Sequence, residues 1–129
     1  MLKLNPENQQ LNIFGETISP CSTSPMTGFF RDGCCNSDQS DIGSHTVCAE
    51  MTKEFLAYSK SKGNDLSTPR PEFNFEGLKP GDSWCLCASR WLQAEKEGLA
   101  PMVFGHSTNF LALSVIPKHI LQKYLITVN

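Results

Sequence analysis

The sequence predicts an α+β fold in which helices pack on one face of a small antiparallel sheet, as two layers, with long ordered loops between the elements. Two segments, residues 46–62 and 83–97, carry apolar side chains at helical spacing. Two short apolar runs, residues 102–104 and 110–116, have the composition of strands. These strands are too few for a doubly wound sheet, so the two-layer arrangement is expected.

The first predicted helix covers residues 46–62. Ser44 is a suitable amino cap for it, and Gly63 is a suitable stop. Apolar side chains recur along one stripe of this segment at spacings of one, three or four, whereas the opposite face is charged. The stripe consists of Val47, Cys48, Met51, Phe55 and Tyr58.

The second predicted helix covers residues 83–97, with Asp82 or Ser83 as its cap and Gly98 as its end. The side chains of this segment recur with the helical period. A strand over residues 84–87 is the alternative interpretation of its first turn, because a short apolar run fits either period.

The later elements are shorter. A turn at residues 106–109 would join the two predicted strands as a hairpin, and Pro117 opens a last helix through residue 125. Residues 12–15 have the pattern of one more short strand. Residues 1–11 are polar and without periodicity, so we expect a flexible arm there and a single α+β domain over residues 12–129.

Composition narrows the classes of function. The chain has 129 residues, of which 40% are hydrophobic and 19% charged, and its formal net charge is −2. We expect no nucleic acid partner, because no run of Lys and Arg is present. We expect no membrane partner either, since the longest apolar run is too short to cross a bilayer. The amino terminus does not have the pattern of a secretion signal, which favours a cytoplasmic location with reduced thiols.

Six cysteines are the most distinctive feature of the composition. Tetrahedral zinc is held by Cys and His, normally through Cys-x-x-Cys pairs, and no such pair occurs in this sequence. No cofactor is therefore predicted. A zinc site that uses His45, Cys48, Cys85 and Cys87 is retained as an alternative, against the interpretation of Cys48 and Cys85 as small core side chains.

Thiol chemistry is a second alternative. Cys34 and Cys35 follow a glycine turn beside Arg31, whose charge would favour the nucleophilic thiolate, although Asp32 acts against this. Adjacent cysteines can also form a vicinal disulfide. The catalytic candidates are Cys34, Cys35 and His45, with His45 or His106 as the base. The pair of Cys85 and Cys87 is a further candidate for redox chemistry.

The polar loop around Arg70 is a candidate binding site. Pro69 and Pro71 stiffen the backbone on both sides of Arg70, and a guanidinium suits bidentate capture of a carboxylate or phosphate. An internal ion pair of Arg70 with a nearby carboxylate is the alternative role. The ligand-binding candidates are Asp32, Asn64, Asp65, Ser67, Thr68, Arg70, Glu72 and Asp82.

Three blocks of the chain resemble the bacterial family called Domain of Unknown Function 2237. The first comprises NIFG at residues 12–15, CST at 21–23 and PMTGFFRDGCC at 25–35, the second is DIGSHTVCA at 41–49, and the third comprises GNDLSTPRPEF at 63–73 and GLKPGDSWCLCA at 77–88. The resemblance extends from about residue 12 to residue 120. It implies a small single-domain α+β protein without an assigned activity, and it identifies no catalytic residue.

These observations lead to an expected function. We expect a cytosolic protein of binding or accessory type, whose polar site forms where the loop of Cys34 and Cys35, the segment of His45 and the loop of Arg70 meet. A small anionic molecule is the expected ligand, with Arg70 as its anchor. A thiol-dependent enzyme or redox protein is the alternative.

Overall fold

Two antiparallel strands lie at the centre of the molecule. A computed structural model describes residues 10–126, in which β1 (His45–Glu50) pairs with β2 (Ser83–Cys87). Cys48 lies opposite Cys85 in this pairing, and the register shifts between His45 and Val47. A bulge of this kind bends a strand and redirects the side chains at its end.

The two faces of the strand pair contact different surroundings, because successive side chains of a strand point to opposite faces. Val47, Ala49, Trp84 and Leu86 belong to the main hydrophobic core, together with the helices. Cys48 and Cys85 belong to a separate buried cluster with Cys35, packed against Ile18, Cys21 and Phe104. The sheet is therefore covered on both faces, by helices on one and by loops on the other.

Three helices supply the second layer, which confirms the predicted α+β class. They are α1 (Lys53–Ser61), α2 (Ala88–Lys96) and α3 (Lys118–Leu121). The side chain of Thr52 caps α1 by accepting a hydrogen bond from the main-chain N–H of Phe55. Trp91 on α2 is fully buried, and its indole N–H donates to the carbonyl of Pro101 at 3.0 Å.

Both predicted helices begin too early, because the first part of each segment is a β-strand. Residues 46–50 belong to β1 rather than to the first helix, so Thr52 and not Ser44 is the cap. The second segment begins as β2, as in the alternative interpretation, and α2 starts only at Ala88. Trp84 is therefore on the strand, where its neighbours alternate between the two faces of the sheet.

The predicted hairpin of residues 102–116 is also wrong. This part of the chain contains short 3₁₀ helices at Gly105–Ser107 and Phe110–Ser114. Its backbone nevertheless binds the free edge of β1, since Phe104 donates to the carbonyl of Cys48 and Asn109 to that of Thr46. Irregular chain thus occupies the position that a third strand would take.

The remaining predictions have mixed outcomes. The last helix is present as α3 and a 3₁₀ turn at Gln122–Tyr124. The predicted strand of residues 12–15 is reduced to isolated bridges, such as the one between Asn12 and Asn109. Most of the predicted arm lies outside the described residues, and the single domain over residues 12–129 stays a prediction. Among residues 10–126, no helix is long and apolar enough to cross a membrane.

Candidate functional site

The loop from Cys21 to Cys35, named the arch, is attached to the sheet at both ends. Cys21 is bonded to Cys48 on β1, and Cys35 is bonded to Cys85 on β2. Because Cys48 and Cys85 are register partners, the two attachment points lie side by side on one face of the strand pair. The arch therefore crosses the sheet at a fixed position, and its side chains are held over β2.

These disulfides correct several of the sequence predictions. Four of the six cysteines are oxidised, so the predicted reduced state is wrong for them, and Cys35 has no free thiol. A vicinal disulfide between Cys34 and Cys35 does not form. The alternative metal set is not available in this state either, since Cys48 and Cys85 are both bonded elsewhere. The physical reason is that folding brings each end of the arch within bonding distance of a strand cysteine.

The free thiols of Cys34 and Cys87 are both half-buried. Burial raises the pKa of the Cys34 thiol, and the charge of Asp32 raises that pKa further. The pKa of Cys34 is therefore shifted in the direction opposite to the one expected from a neighbouring Arg31, and a raised pKa reduces the thiolate fraction. Cys87 has the hydroxyl of Ser89 at 3.2 Å from its sulfur. The raised pKa does not favour Cys34 as a nucleophile.

Two cavities, together named the Arg31 cleft, share Arg31 as a common wall. The larger, of about 530 Å³, lies between residues 23–26 of the arch and residues 73–77, with Lys79 and Asp82 on its lining. The smaller, of about 260 Å³, is lined by residues 27–29 of the arch together with His45, Leu66, Trp84 and Cys85. The arch and the loop of residues 66–82 thus both contribute residues to each of the two cavities.

Arg31 has an unusual backbone and a specific position in this cleft. Its φ of 55° is in the left-handed region, which non-glycine residues rarely adopt. Its guanidinium carbon lies 5.5 Å from the centre of the Trp84 ring, within the range of a cation–π contact. One guanidinium nitrogen donates to the carbonyl of Met26 at 3.4 Å. Among residues 10–126, no Asp or Glu forms an ion pair with Arg31.

His45 is oriented by a buried carboxylate. Its ring nitrogen Nδ1 lies 2.7 Å from Asp41 Oδ1, and its main-chain N–H donates to Asp41 Oδ2 at 2.8 Å. The Asp41 side chain is fully buried, whereas 42% of the His45 side chain is exposed. Ser37 Oγ also donates to Asp41 at 2.9 Å. Burial by itself would raise the pKa of Asp41, but hydrogen bonds from His45 and Ser37 outweigh it and lower this pKa.

The ring of His45 is also fixed from its faces. Phe29 of the arch stacks on it, with ring centres 6.3 Å apart and an angle of 20° between the planes. Gly43 is so close that a Cβ there would lie 2.9 Å from the ring carbon Cε1. Nε2 makes no hydrogen bond to residues 10–126. An imidazole held at Nδ1 by a carboxylate, with Nε2 free, has the arrangement of a general base.

The first residues of the loop that contains Arg70 form a turn stabilised by Asp65. The Asp65 carboxylate accepts hydrogen bonds from the main-chain N–H groups of Ser67 and Thr68, and from the Thr68 hydroxyl at 2.6 Å. These bonds lower the pKa of Asp65. This is the usual role of an aspartate that stabilises a turn. Asn64 is likewise bonded to α1, since its carbonyl accepts from Ser59 Oγ at 2.7 Å.

Arg70 itself is exposed and outside the Arg31 cleft. Its backbone bridges to Phe75, and Glu72 is exposed in the 3₁₀ turn Pro71–Phe73 that follows. Within the described part of the chain Arg70 has no ion pair, so the expected clamp with a nearby carboxylate is absent there. The arginine that lines both cavities is instead Arg31.

The structure brings together only part of the predicted site. Asp82 lines the larger cavity, and His45 lines the smaller one. Asp32 is exposed, accepting from the N–H of Cys34 and from the amide of Asn36. Sequence reasoning missed Arg31 and Trp84 as cleft residues. The available signal was the position of Arg31 before an Asp-Gly turn, in a loop that the cysteines bracket.

Comparison with known proteins is consistent with the resemblance noted in the sequence. No curated protein matches the chain. The model of one family, described as an uncharacterised protein conserved in bacteria, matches residues 11–125. This match includes the arch, both strands and the three helices. The chain therefore belongs to the bacterial family of uncharacterised proteins known as DUF2237.

Proposed function

We propose that this protein binds a small anionic molecule in the Arg31 cleft. The observation that carries the proposal is the state of Arg31, whose guanidinium forms part of both cavity walls and has no carboxylate partner among residues 10–126. A guanidinium offers five N–H donors in a planar fork that matches a carboxylate or a phosphate. One guanidinium nitrogen donates to the carbonyl of Met26, and the other N–H donors of this fork have no hydrogen-bond partner among residues 10–126.

The composition of the cleft limits the class of ligand. The larger cavity carries Glu76 and Asp82 as well as Lys79, so its charges are mixed. A ligand with one anionic group at Arg31 and neutral or cationic polar groups elsewhere fits this pattern better than a polyanion, which the two carboxylates would repel. A volume of about 530 Å³ is sufficient for a small metabolite.

His45 gives the same cleft a group that can move a proton. Asp41 holds the ring at Nδ1 and Phe29 covers one of its faces. A ligand bound at Arg31 in the smaller cavity would share that cavity with His45, which could accept a proton from it at Nε2. We therefore propose anion binding as the function and His45 as the residue that gives the site its acid–base chemistry.

Thermal shift and calorimetry on the full chain test this proposal. The probes are inorganic phosphate, small mono- and dicarboxylates, amino acids and phosphorylated sugars. We expect at least one class to raise the melting temperature, and we expect Arg31→Gln to abolish that shift. Arg70→Gln is the matched control, because Arg70 is an exposed arginine outside the cleft. A shift that survives Arg31→Gln, or a folded protein that responds to none of these classes, would contradict the proposal.

A further inference from the structure

The sulfur atoms of the two disulfides lie close together. Those of Cys21, Cys35 and Cys85 are all within 4.8 Å of one another, and Cys48 is bonded to Cys21. Four cysteines from four separate parts of the chain therefore meet at one place. The cluster has no Cys-x-x-Cys pattern in the sequence, because its cysteines are close in space but not along the chain. The bonded pairs are 27 and 50 residues apart.

The geometry points to a metal site, and we propose that the reduced form of this cluster binds one zinc-like divalent cation through Cys21, Cys35, Cys48 and Cys85. In a tetrahedral site with zinc–sulfur distances of about 2.3 Å, neighbouring sulfur atoms are about 3.8 Å apart. The Cys21 sulfur already lies within 4.8 Å of the sulfurs of Cys35 and Cys85, which form the other disulfide. After both sulfur–sulfur bonds are cleaved, rotations about the cysteine χ1 angles would arrange the four sulfurs around one cation.

The surroundings of the cluster suit a structural metal. Cys35 and Cys48 are fully buried, Cys85 is 2% exposed and Cys21 is half-buried, and the apolar residues Ile18 and Phe104 pack around them. Structural zinc sites are closed to water in this way and use all four positions for protein ligands. Buried thiolates also require a cation, because an uncompensated charge in the core is very unfavourable.

Two free thiols beside the cluster provide a reason for such a second state. Cys34 is adjacent to Cys35, and Cys87 is two residues from Cys85. A free thiol beside a disulfide exchanges with it as the thiolate, and Cys87 is the favoured one of the two because the pKa of Cys34 is raised. A metal at the cluster would connect both ends of the arch to β1 and β2 as the disulfides do, and it would keep the Arg31 cleft formed under reducing conditions.

The conversion balances as follows. Two molecules of a phosphine reductant and two of water supply four electrons and four protons, which convert the two sulfur–sulfur bonds into four thiols, and each phosphine becomes a phosphine oxide. The divalent cation then replaces the four thiol protons, which are released to solvent. The cation itself undergoes no change of oxidation state.

Cobalt(II) titration of the full chain, reduced by a phosphine without oxygen, tests the proposal. We expect uptake of one equivalent, with sulfur-to-cobalt charge-transfer bands and the intense visible absorption of a tetrahedral ion, and displacement by zinc. Alkylation of the zinc-loaded protein followed by mass spectrometry should label Cys34 and Cys87 and protect the other four cysteines. Addition of a chelator should remove that protection.

Substitutions test whether the four bonded cysteines, and not the free cysteines or Arg31, hold the cation. Cys34→Ser with Cys87→Ser should retain the cobalt spectrum, whereas Cys85→Ser should lose the four-sulfur absorption. Arg31→Gln should leave cobalt uptake unchanged, since this inference does not depend on the proposed ligand. If Cys85→Ser does not fold, the alkylation pattern of the zinc-loaded unaltered protein identifies the cysteines that hold the cation. No uptake by the reduced chain, or protection of Cys34 or Cys87 in place of the four, would overturn the proposal.

Discussion

Asp41 holds His45 at two points, through the ring nitrogen Nδ1 and through the main-chain N–H. Asp41 begins the turn that leads into β1 and His45 is the first residue of that strand, so the carboxylate fixes the ring and the start of the strand together. Because a carboxylate accepts hydrogen bonds, neutral His45 carries its proton at Nδ1, and the lone pair of Nε2 is left free.

Asp41→Asn should change the tautomer of His45. The asparagine can present an N–H to the ring instead of an acceptor, so we expect the Nδ1–H tautomer to lose its preference. We also expect a loss of about 1–3 kcal/mol in the free energy of unfolding, since buried hydrogen bonds to a charged acceptor are weakened. Long-range proton–nitrogen correlation spectra of His45 measure the tautomer. His106, exposed and distant from Asp41 in the sequence, is the internal control.

The stability of the fold should depend on pH through Asp41. Its pKa is lower in the folded protein than in the unfolded chain, so the unfolded chain binds the proton more readily. The stabilisation is therefore present above the ordinary aspartate pKa of about 3.9, and it is lost as the pH falls through the lower folded value. Urea unfolding from about pH 7 to about pH 3 should show the gap between the parent protein and Asp41→Asn closing at acid pH. A gap that stays constant would contradict this account.

Asp32→Asn should make Cys34 more reactive. Burial raises the pKa of Cys34 most, and Asp32 adds to this through its negative charge. Removing that charge lowers the pKa, and each unit corresponds to about a tenfold change in thiolate, so we expect faster alkylation by up to about tenfold. Asparagine keeps the oxygen that accepts from the Cys34 N–H. Labelling rates by mass spectrometry at neutral pH measure the effect, and an equal acceleration of Cys87 would argue for general loosening instead.

Gly77→Ala should be strongly destabilising. A Cβ at this position would lie 2.3 Å from the carbonyl oxygen of Ser67, and the φ of Gly77 is +85°. Gly81→Ala is the matched control, because its φ of +96° is similar but nothing lies within 4 Å of its Cβ. We expect about 1–2 kcal/mol for Gly81→Ala from backbone strain. For Gly77→Ala we expect about 1–3 kcal/mol more, from the steric overlap. Urea midpoints at neutral pH compare the two variants, and equal losses would refute the packing argument.

The fold class followed from the sequence, but the position of β1 did not, and the reason is its burial on both faces. Residues 46–49 are all fully buried, so the segment shows neither the alternation of a half-exposed strand nor a polar helix face. Val47 and Cys48 also lie at helical spacing from the apolar residues of α1, so the predicted helix included them although they belong to β1. Thr52, followed by the acidic Glu54, was the available signal that the helix begins later.

The candidate site was less predictable than the fold. The prolines on both sides of Arg70 indicated a fixed binding arginine, whereas the residues around Arg31 gave a weaker indication. Arg31 is nevertheless the arginine that lines both cavities. Its position depends on the attachment of the arch to β1 and β2, and the cysteines that make these bonds are far apart in the chain. Local patterns describe the stiffness of a loop, but the surface that a loop faces depends on contacts between distant residues.

The crossing bonds of the arch have a consequence for the integrity of the chain. The pair of Cys21 and Cys48 overlaps the pair of Cys35 and Cys85 along the sequence. One peptide bond cleaved anywhere between residues 21 and 85 is therefore always spanned by at least one disulfide. The two fragments of a nicked molecule would stay covalently joined, and both walls of the cleft would stay attached to each other. The fragments would separate only after unfolding in the presence of a reductant.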